Sequence, residues 1–533
     1  MLRARFKATF FTVLLSVAPL IGTTTGPKPA EAQAFSSLRQ AIAESSANTE
    51  QLVEFYRARD FEPLWTSPGD ADRRAALFAA LEAAPMHGLP QNRYDPETLR
   101  SVFLDATTPY ARGQADVLAT RVFLQYAQDI HSGMLDPDDV VEDIVHTLPR
   151  RDPVELLTEF AVSQPYAFMD SLPPQHPEYT RILRARMELL QLAERGGYGP
   201  QVPVSSLSPG DEGAAVVTLR NRLMAMGFLD RSATATYDAR LQLAVSNFQV
   251  ANGLEPDGVA GAATIEAMNR TVRDHLGELT VALERQRWLN FDRGERHIFV
   301  NTTDFHVHVI DNGEITFTTR SVVGANEADR RTPEFSDEME HLVINPSWYV
   351  PRSIARRSYI PGILNGQGTY LELSRGGRVV NPANLDLSQY SVTNFPFDLR
   401  QPPGPRNALG LVKFMFPNQW NIYLHDTPED HLFARQRRTY SSGCVRLEDP
   451  FEFAYHILAS QEDDPVDFFQ SVLNTGEETY VYLDTHIPVH ITYWTAWVTP
   501  AGVVNFRDDI YGRNTALLRA MEAAGVEIGG AAS

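Results

Sequence analysis

The chain is almost without cysteine: one residue, Cys444, in 533. That excludes an internal disulfide and any Cys-pair metal site. It is also poor in positive charge, with 47 Lys and Arg against 67 Asp and Glu and a net charge of -20, which argues against nucleic acid or anionic lipid as partner. Beyond the first 25 residues no run approaches ~18 consecutive apolar residues, so the mature chain is expected to have no membrane span. H-E-x-x-H is absent, and His425, Asp426 and His431 have no recognised ligand spacing, so no metal or cofactor is expected.

What is there begins with an export signal. Arg3, Arg5 and Lys7 precede a short apolar stretch interrupted by Pro19, and A-E-A-Q-A offers small residues at Ala32 and Ala34. This pattern predicts a signal peptide over residues 1–34, a mature chain from near Phe35 and an oxidising destination outside the cytoplasm. A lone cysteine kept there is a reactive thiol, a partner for another chain or a buried inert group.

Residues 35–200 read as helical, with apolar spacing over 52–65, 75–84 and 115–130. His87 and His131 fall at helix ends, where capping or surface roles are expected. After the linker Q-V-P-V-S-S-L-S-P-G-D-E-G, residues 206–272 form a compact unit of three helices, the first stopped at Gly227, the second at Asn252-Gly253, and the third following the turn P-D-G-V-A-G. From about 285 the period changes to two. Segments 297–301 and 306–320 read as strands, with an Asn312-Gly313 hairpin signal. H-L-V-I-N-P, V-K-F-M-F-P-N-Q-W-N-I-Y-L-H-D-T-P and a hairpin near the end continue the strand pattern, and residues 513–533 form a C-terminal helix and tail. Residues 351–408, rich in Pro, Gly and Asn, read as an irregular insertion, a lid over a site. The expected fold class is multidomain α+β: a helical N-terminal scaffold domain, a small three-helix domain at 206–272, and a mostly β domain over 280–512 with the inserted lid.

Cys444 stands in T-Y-S-S-G-C-V-R-L-E-D-P. Gly443 lets the backbone turn sharply before it, and the amides of Gly443 and Cys444 could face a developing oxyanion. The apolar run N-I-Y-L-H ends at His425, placed to act as the base a thiol nucleophile needs. An activated thiol should be labelled well below pH ~8.5. The competing histidines are His431, in a polar loop, and His456, read as packing or capping on the helix after the cysteine.

These residues are similar to known families. L-S-P-G-D-E-G, L-R-x-R-L, F-Q-x-x-x-G-L and D-G-V-A-G-x-x-T resemble the peptidoglycan-binding domain of cell-wall enzymes. Y-L-H-D-T-P with R-x-Y-S-S-G-C-V-R-L-E-D-P resembles the active-site signature of L,D-transpeptidases of YkuD type, with Ser442 where His is usual. L-E-R-Q-R-W-L, I-N-P-S-W-Y-V-P-R-S-I and I-T-Y-W-T-A-W resemble the long, lidded Gram-negative subgroup. Two departures concern substrate preference: the long, acidic 321–333 segment, with Ala325 where Lys is common, and a lid that matches only in patches.

The resemblance implies a periplasmic enzyme acting on peptidoglycan tetrapeptide stems as donor and acceptor. Cys444 would be the nucleophile and His425 the base. The Asp426 carbonyl would orient the imidazole, and the product would be a 3→3 cross-link. Arg446 would hold a stem carboxylate or brace its loop, Arg438 would fix the loop, and Tyr423 and Trp348 would wall the acyl pocket. The Ser441 and Ser442 hydroxyls would act as hydrogen bonders beside the substrate. The same acyl-enzyme could instead serve hydrolysis or the tethering of an envelope protein, and a non-catalytic wall-binding protein would share the fold.

Overall fold

The structure, a computed structural model, describes residues 29–367 and 369–529. Most of the expected signal segment lies outside the described residues. Among those described, no helix is long and apolar enough to cross a membrane.

The chain divides into two compact units. One takes residues 29–70 and 97–120, with helices Pro29–Ser46, Glu50–Ala58 and Pro96–Asp105 and the first half of Pro109–Ser132. The helix expected over 52–65 stops at Ala58. Asp60 and Phe61 turn left-handed, at φ 52° and 56°. The buried Asp116 carboxylate then accepts from the amides of Leu64, Trp65 and Thr66 at 2.8–2.9 Å and from the Tyr56 hydroxyl at 2.7 Å. A buried carboxylate that satisfies three amides outweighs continued helix, and periodicity cannot register it.

The second unit takes residues 71–96 and 121–529. Helices Ala214–Ala225, Ala239–Ala251 and Ala262–Met268 pack around Leu219, Val245, Phe248 and Met268 in a small core of their own. Helix Val272–Trp288 follows, opened by a Thr271/Asp274 capping box and buried along nearly its whole length. Its Arg285, with Arg513, pairs the buried Glu334, which stands just before the strand Phe335–Ile344.

The β domain is built on nine strands: β1 (Arg296–Asn301), β2 (His306–Asp311), β3 (Glu314–Gly324), β4 (Phe335–Ile344), β9 (Val412–Met415), β10 (Leu424–His425), β11 (Thr439–Ser441), β12 (Val445–Leu447) and β13 (Thr479–Thr492). Their order is β11-β3-β12-β10-β9-β4-β13-β1-β2. β3 pairs β2 along its first part and β12 and β11 along its last, so the order closes on itself. The β2–β3 turn has Asn312 and Gly313 at φ 52° and 83°, as the sequence signal requires. One face carries Leu342, Phe414, Leu424, Val445 and Val481 into a core closed by helices Pro450–Leu458 and Pro465–Leu473. The opposite face holds the residues of interest below. A short hairpin, β14 (Ala496–Val498) with β15 (Val504–Phe506), precedes helix Arg513–Ala523.

The insertion is not irregular. β5 (Trp348–Tyr349), β6 (Glu372–Arg375), β7 (Arg378–Val380) and β8 (Asp398–Gln401) make a four-stranded sheet ordered β5-β8-β6-β7. With helix Ile360–Leu364 it encloses Ile360, Ile363, Leu373, Phe395, Phe397 and Leu399. Strands of two to four residues are too short for alternation to stand out, and the lid therefore read as loop.

Candidate active site

Strand pairing brings the expected site together. β10 runs parallel to β12 with His425 opposite Arg446, and antiparallel to β9 with His425 opposite Lys413. Alternation then puts Tyr423 and Cys444, two residues back along their strands, on the same face. The four sequence-predicted residues Tyr423, His425, Cys444 and Arg446 thus share one patch of sheet, with Lys413 beside them.

The nucleophile turn is held from both sides. Gly443 sits at φ 120°, where only glycine is unstrained. Its amide donates to Ser441 Oγ at 3.1 Å, and that hydroxyl donates to the Cys444 carbonyl at 2.6 Å. Thr332 Oγ1 donates to the Gly443 carbonyl at 2.7 Å. Of the two amides expected to face an oxyanion, Gly443 is therefore engaged, while the Cys444 amide has no hydrogen bond among the described residues. Arg330, in the long acidic segment, donates to the carbonyls of Tyr440 and Ser441. Arg438 is buried and donates to the carbonyls of Ser321, Arg435 and Phe305, which fixes the loop entering the site.

His425 is buried, and its Nδ1–H donates to the Asp426 carbonyl at 2.5 Å. That bond leaves Nε2 as the unprotonated, accepting nitrogen. The Asp426 carboxylate accepts from the amides of Leu411 and Thr427, at 2.7 and 2.6 Å, so the carbonyl that orients the imidazole is itself anchored. Burial first, then the cations Arg446 and Lys413, push the imidazole down to about 3, against the smaller opposing pull of its backbone bond. It is neutral at any physiological pH.

Cys444 is half-buried and points its thiol at the Asn421 carbonyl, 3.5 Å away. Burial pushes the thiol up to about 11, only partly offset by Tyr423, Arg446 and Lys413. The expectation of a depressed thiol is therefore corrected. The resting pair is neutral thiol and neutral imidazole, and the sulfur must lose its proton as it attacks. The Tyr423 hydroxyl is likewise raised well above its ordinary range, by burial and then by the neighbouring sulfur.

Other predicted residues fall around this patch. Arg446 pairs with Glu429 across the loop, the bracing arrangement. Trp348 is buried and meets Tyr359 of the lid edge-on at 5.8 Å. Ser442 accepts from Arg357 of the lid at 3.2 Å, and Arg357 pairs with Asp329 at 2.7 Å. His456 stacks on Phe317 at 5.6 Å, and His431 lies exposed in a 3-10 turn; neither approaches the patch through any recorded contact. Sequence reasoning missed Lys413, Asn421, Thr332 and Arg357. Thr332 had a signal in the T-P that ends the 321–333 segment. The others follow only from register or from the folded lid.

Comparison with known proteins finds matches over three segments of the chain. Residues 295–481 match the family described as "L,D-transpeptidase catalytic domain". Residues 212–268 match "Putative peptidoglycan binding domain", and residues 50–185 match "Scaffold domain". A curated Haemophilus influenzae protein, named "Putative L,D-transpeptidase", is 33% identical over 238 residues, 44% of this chain and 47% of that protein. The chain thus covers about half the length of the curated relative it matches. A solved L,D-transpeptidase structure from Xylanimonas cellulosilytica matches at 14% identity with a TM-score of 0.16, over 55% of this chain and 98% of that one.

Proposed function

We propose, from the premise that this chain carries an L,D-transpeptidase catalytic domain with a peptidoglycan-binding and a scaffold domain, that it is a periplasmic enzyme forming 3→3 cross-links between tetrapeptide stems. The observation that carries the reading is His425. It is buried, neutral, and oriented by the Asp426 carbonyl on the strand beside the only thiol in the chain.

The chemistry follows from the protonation states. Cys444 Sγ attacks the carbonyl between the third and fourth residues of a donor stem while its proton passes to His425 Nε2. The carbonyl oxygen becomes an oxyanion facing the Cys444 amide, a donor worth ~3 kcal/mol in comparable sites. The intermediate collapses, His425 returns the proton to the departing amine of D-alanine, and a thioester remains on Cys444. The side-chain amine of a diamino acid on a second stem attacks that thioester. His425 takes the amine proton and passes it to the leaving sulfur, restoring the thiol. Transfer rather than hydrolysis is supported by the folded lid, whose Arg357 contacts Ser442 beside the nucleophile and whose Tyr359 packs on Trp348. The lone cysteine also fits export of the chain by its first 34 residues, since no second thiol could oxidise onto the nucleophile.

The acyl-enzyme tests this reading. Incubation with a tetrapeptide donor or a carbapenem should add one acyl group to Cys444, found by intact mass and peptide mapping. An adduct on another residue, or none, would sink the proposal.

A further inference from the structure

The sheet face that holds the site continues well past it. Paired residues run straight across five strands: Arg446, His425, Lys413, Val343 and Tyr480. A second row lies two residues along, with Cys444 and Tyr423 at one end and Met415, His341 and Tyr482 at the other. At that far end Tyr480 and Tyr482 are 51% and 65% exposed, with the His341 ring between them at 5.7 and 5.1 Å. Tyr349, 69% exposed, stands on β5 where the lid begins. Tyr480 and Tyr482, solvent-facing on this sheet face, with Tyr349 exposed on the first lid strand, are not needed for packing. The His341 Nδ1 in their midst is buried with no hydrogen-bond partner among the described residues.

We infer that this aromatic floor binds the amino-sugar backbone that carries the donor stem, an inference that rests on the acyl-transfer reading of Cys444. Distance argues for it. From β12, which follows the nucleophile, to β13, which carries the tyrosines, is four strand spacings, about 19 Å at ~4.8 Å each. A donor stem whose third carbonyl is at Cys444 spans three extended residues and a short lactyl link, about 14 Å before the first sugar ring begins. Laid across the strands toward β13, a stem of that length brings the first saccharide over β4 and β13, where Tyr480 and Tyr482 stand. The chemistry fits as well. A pyranose offers a face of C–H groups to a tyrosine ring and hydroxyls to its phenol, and tyrosine gives a broad, rigid contact surface at low entropic cost.

The test uses the full-length Cys444→Ala protein, which cannot turn over, and calorimetric titration with two ligands: a disaccharide-tetrapeptide and the same tetrapeptide without sugar. The sugar should strengthen binding roughly tenfold. Adding Tyr480→Ala and Tyr482→Ala should bring that ratio to within about twofold while leaving the tetrapeptide affinity unchanged, which also reports an intact fold. Tyr482→Phe, which keeps the ring, should retain most of the ratio. A ratio that survives the double substitution overturns the inference, and so does an equal loss for both ligands, which would assign the patch to the peptide. Failure of the acyl-transfer reading looks different: native Cys444 stays unacylated by the tetrapeptide, whatever the sugar ratio does.

Discussion

Gly410 sits at φ 60°, and a methyl group there would overlap the Asp426 carboxylate. That carboxylate holds the loop whose backbone carbonyl fixes the His425 ring, so strain at Gly410 reaches the base without touching it. Gly410→Ala should lower kcat/KM by roughly ten- to a hundredfold, the range expected when a catalytic group is misplaced by about an ångström. Circular dichroism should remain native, and full activity would show that the Asp426 loop does not position His425. The thiol makes a separate prediction. With burial pushing Cys444 up to about 11, iodoacetamide alkylation of the free enzyme should keep rising with pH through 9 and 10. A plateau near pH 7 would mean a preformed thiolate, contrary to the neutral pair described here. Both side chains were legible in sequence because their chemistry is rare: one thiol in the whole chain, preceded by glycine, and a histidine ending an apolar run. The protonation state was not legible, because burial depends on elements far away in sequence.

At the scale of elements, the proposed function gives the lid control over the fate of the acyl-enzyme. Arg357 joins the lid to Ser442 and Asp329 through one hydrogen bond and one partly exposed ion pair. Contacts of this kind contribute on the order of ~0.5–1 kcal/mol, so Arg357→Ala should raise the ratio of tripeptide to cross-linked product about two- to fivefold. Product analysis at equal conversion measures it, and an unchanged ratio would separate the latch from acceptor control. The sequence announced that an insertion of this length was present but hid its architecture. Its strands are two to four residues long, and its core residues, among them Ile360, Leu373 and Phe397, are widely separated. The long strands and the Asn312-Gly313 turn were readable for the opposite reason, since alternation extends over enough residues to stand out. The helix that ended early at Ala58 shows the same limit: Asp116, nearly sixty residues away, satisfies the amides that helix would otherwise have used.

Across the whole molecule, burial of ionisable groups sets the response to acid. Burial holds His87 and His425 down to about 3 and His308 and His490 down to about 4, below the ordinary 6.5. Glu334, which burial alone would raise, is instead held down to about 2, chiefly by Arg285 with help from His146 and Arg513. Below pH 6.5 the unfolded chain binds protons that the folded histidines exclude, and below 4.5 Glu334 adds to the difference. Stability is therefore fully present above pH 6.5 and is lost as pH falls. Asp129, raised by burial to about 6, works the other way, as do Asp116 and Asp426, which burial also raises. Unfolding free energies from denaturant titrations at pH 7, 6 and 5 should fall steadily, by on the order of several kcal/mol in all. A flat profile would contradict the buried, neutral histidines, including the one assigned as base.

The central claim is that Cys444 carries an acyl group from one stem to another. The most direct measurement incubates the mature protein, and a Cys444→Ala control, with purified disaccharide-tetrapeptide and identifies the products by mass spectrometry. Dimers lacking one D-alanine, joined between third residues and absent from the control, are the predicted result. Tripeptide monomers alone, or dimers that persist without Cys444, would contradict it.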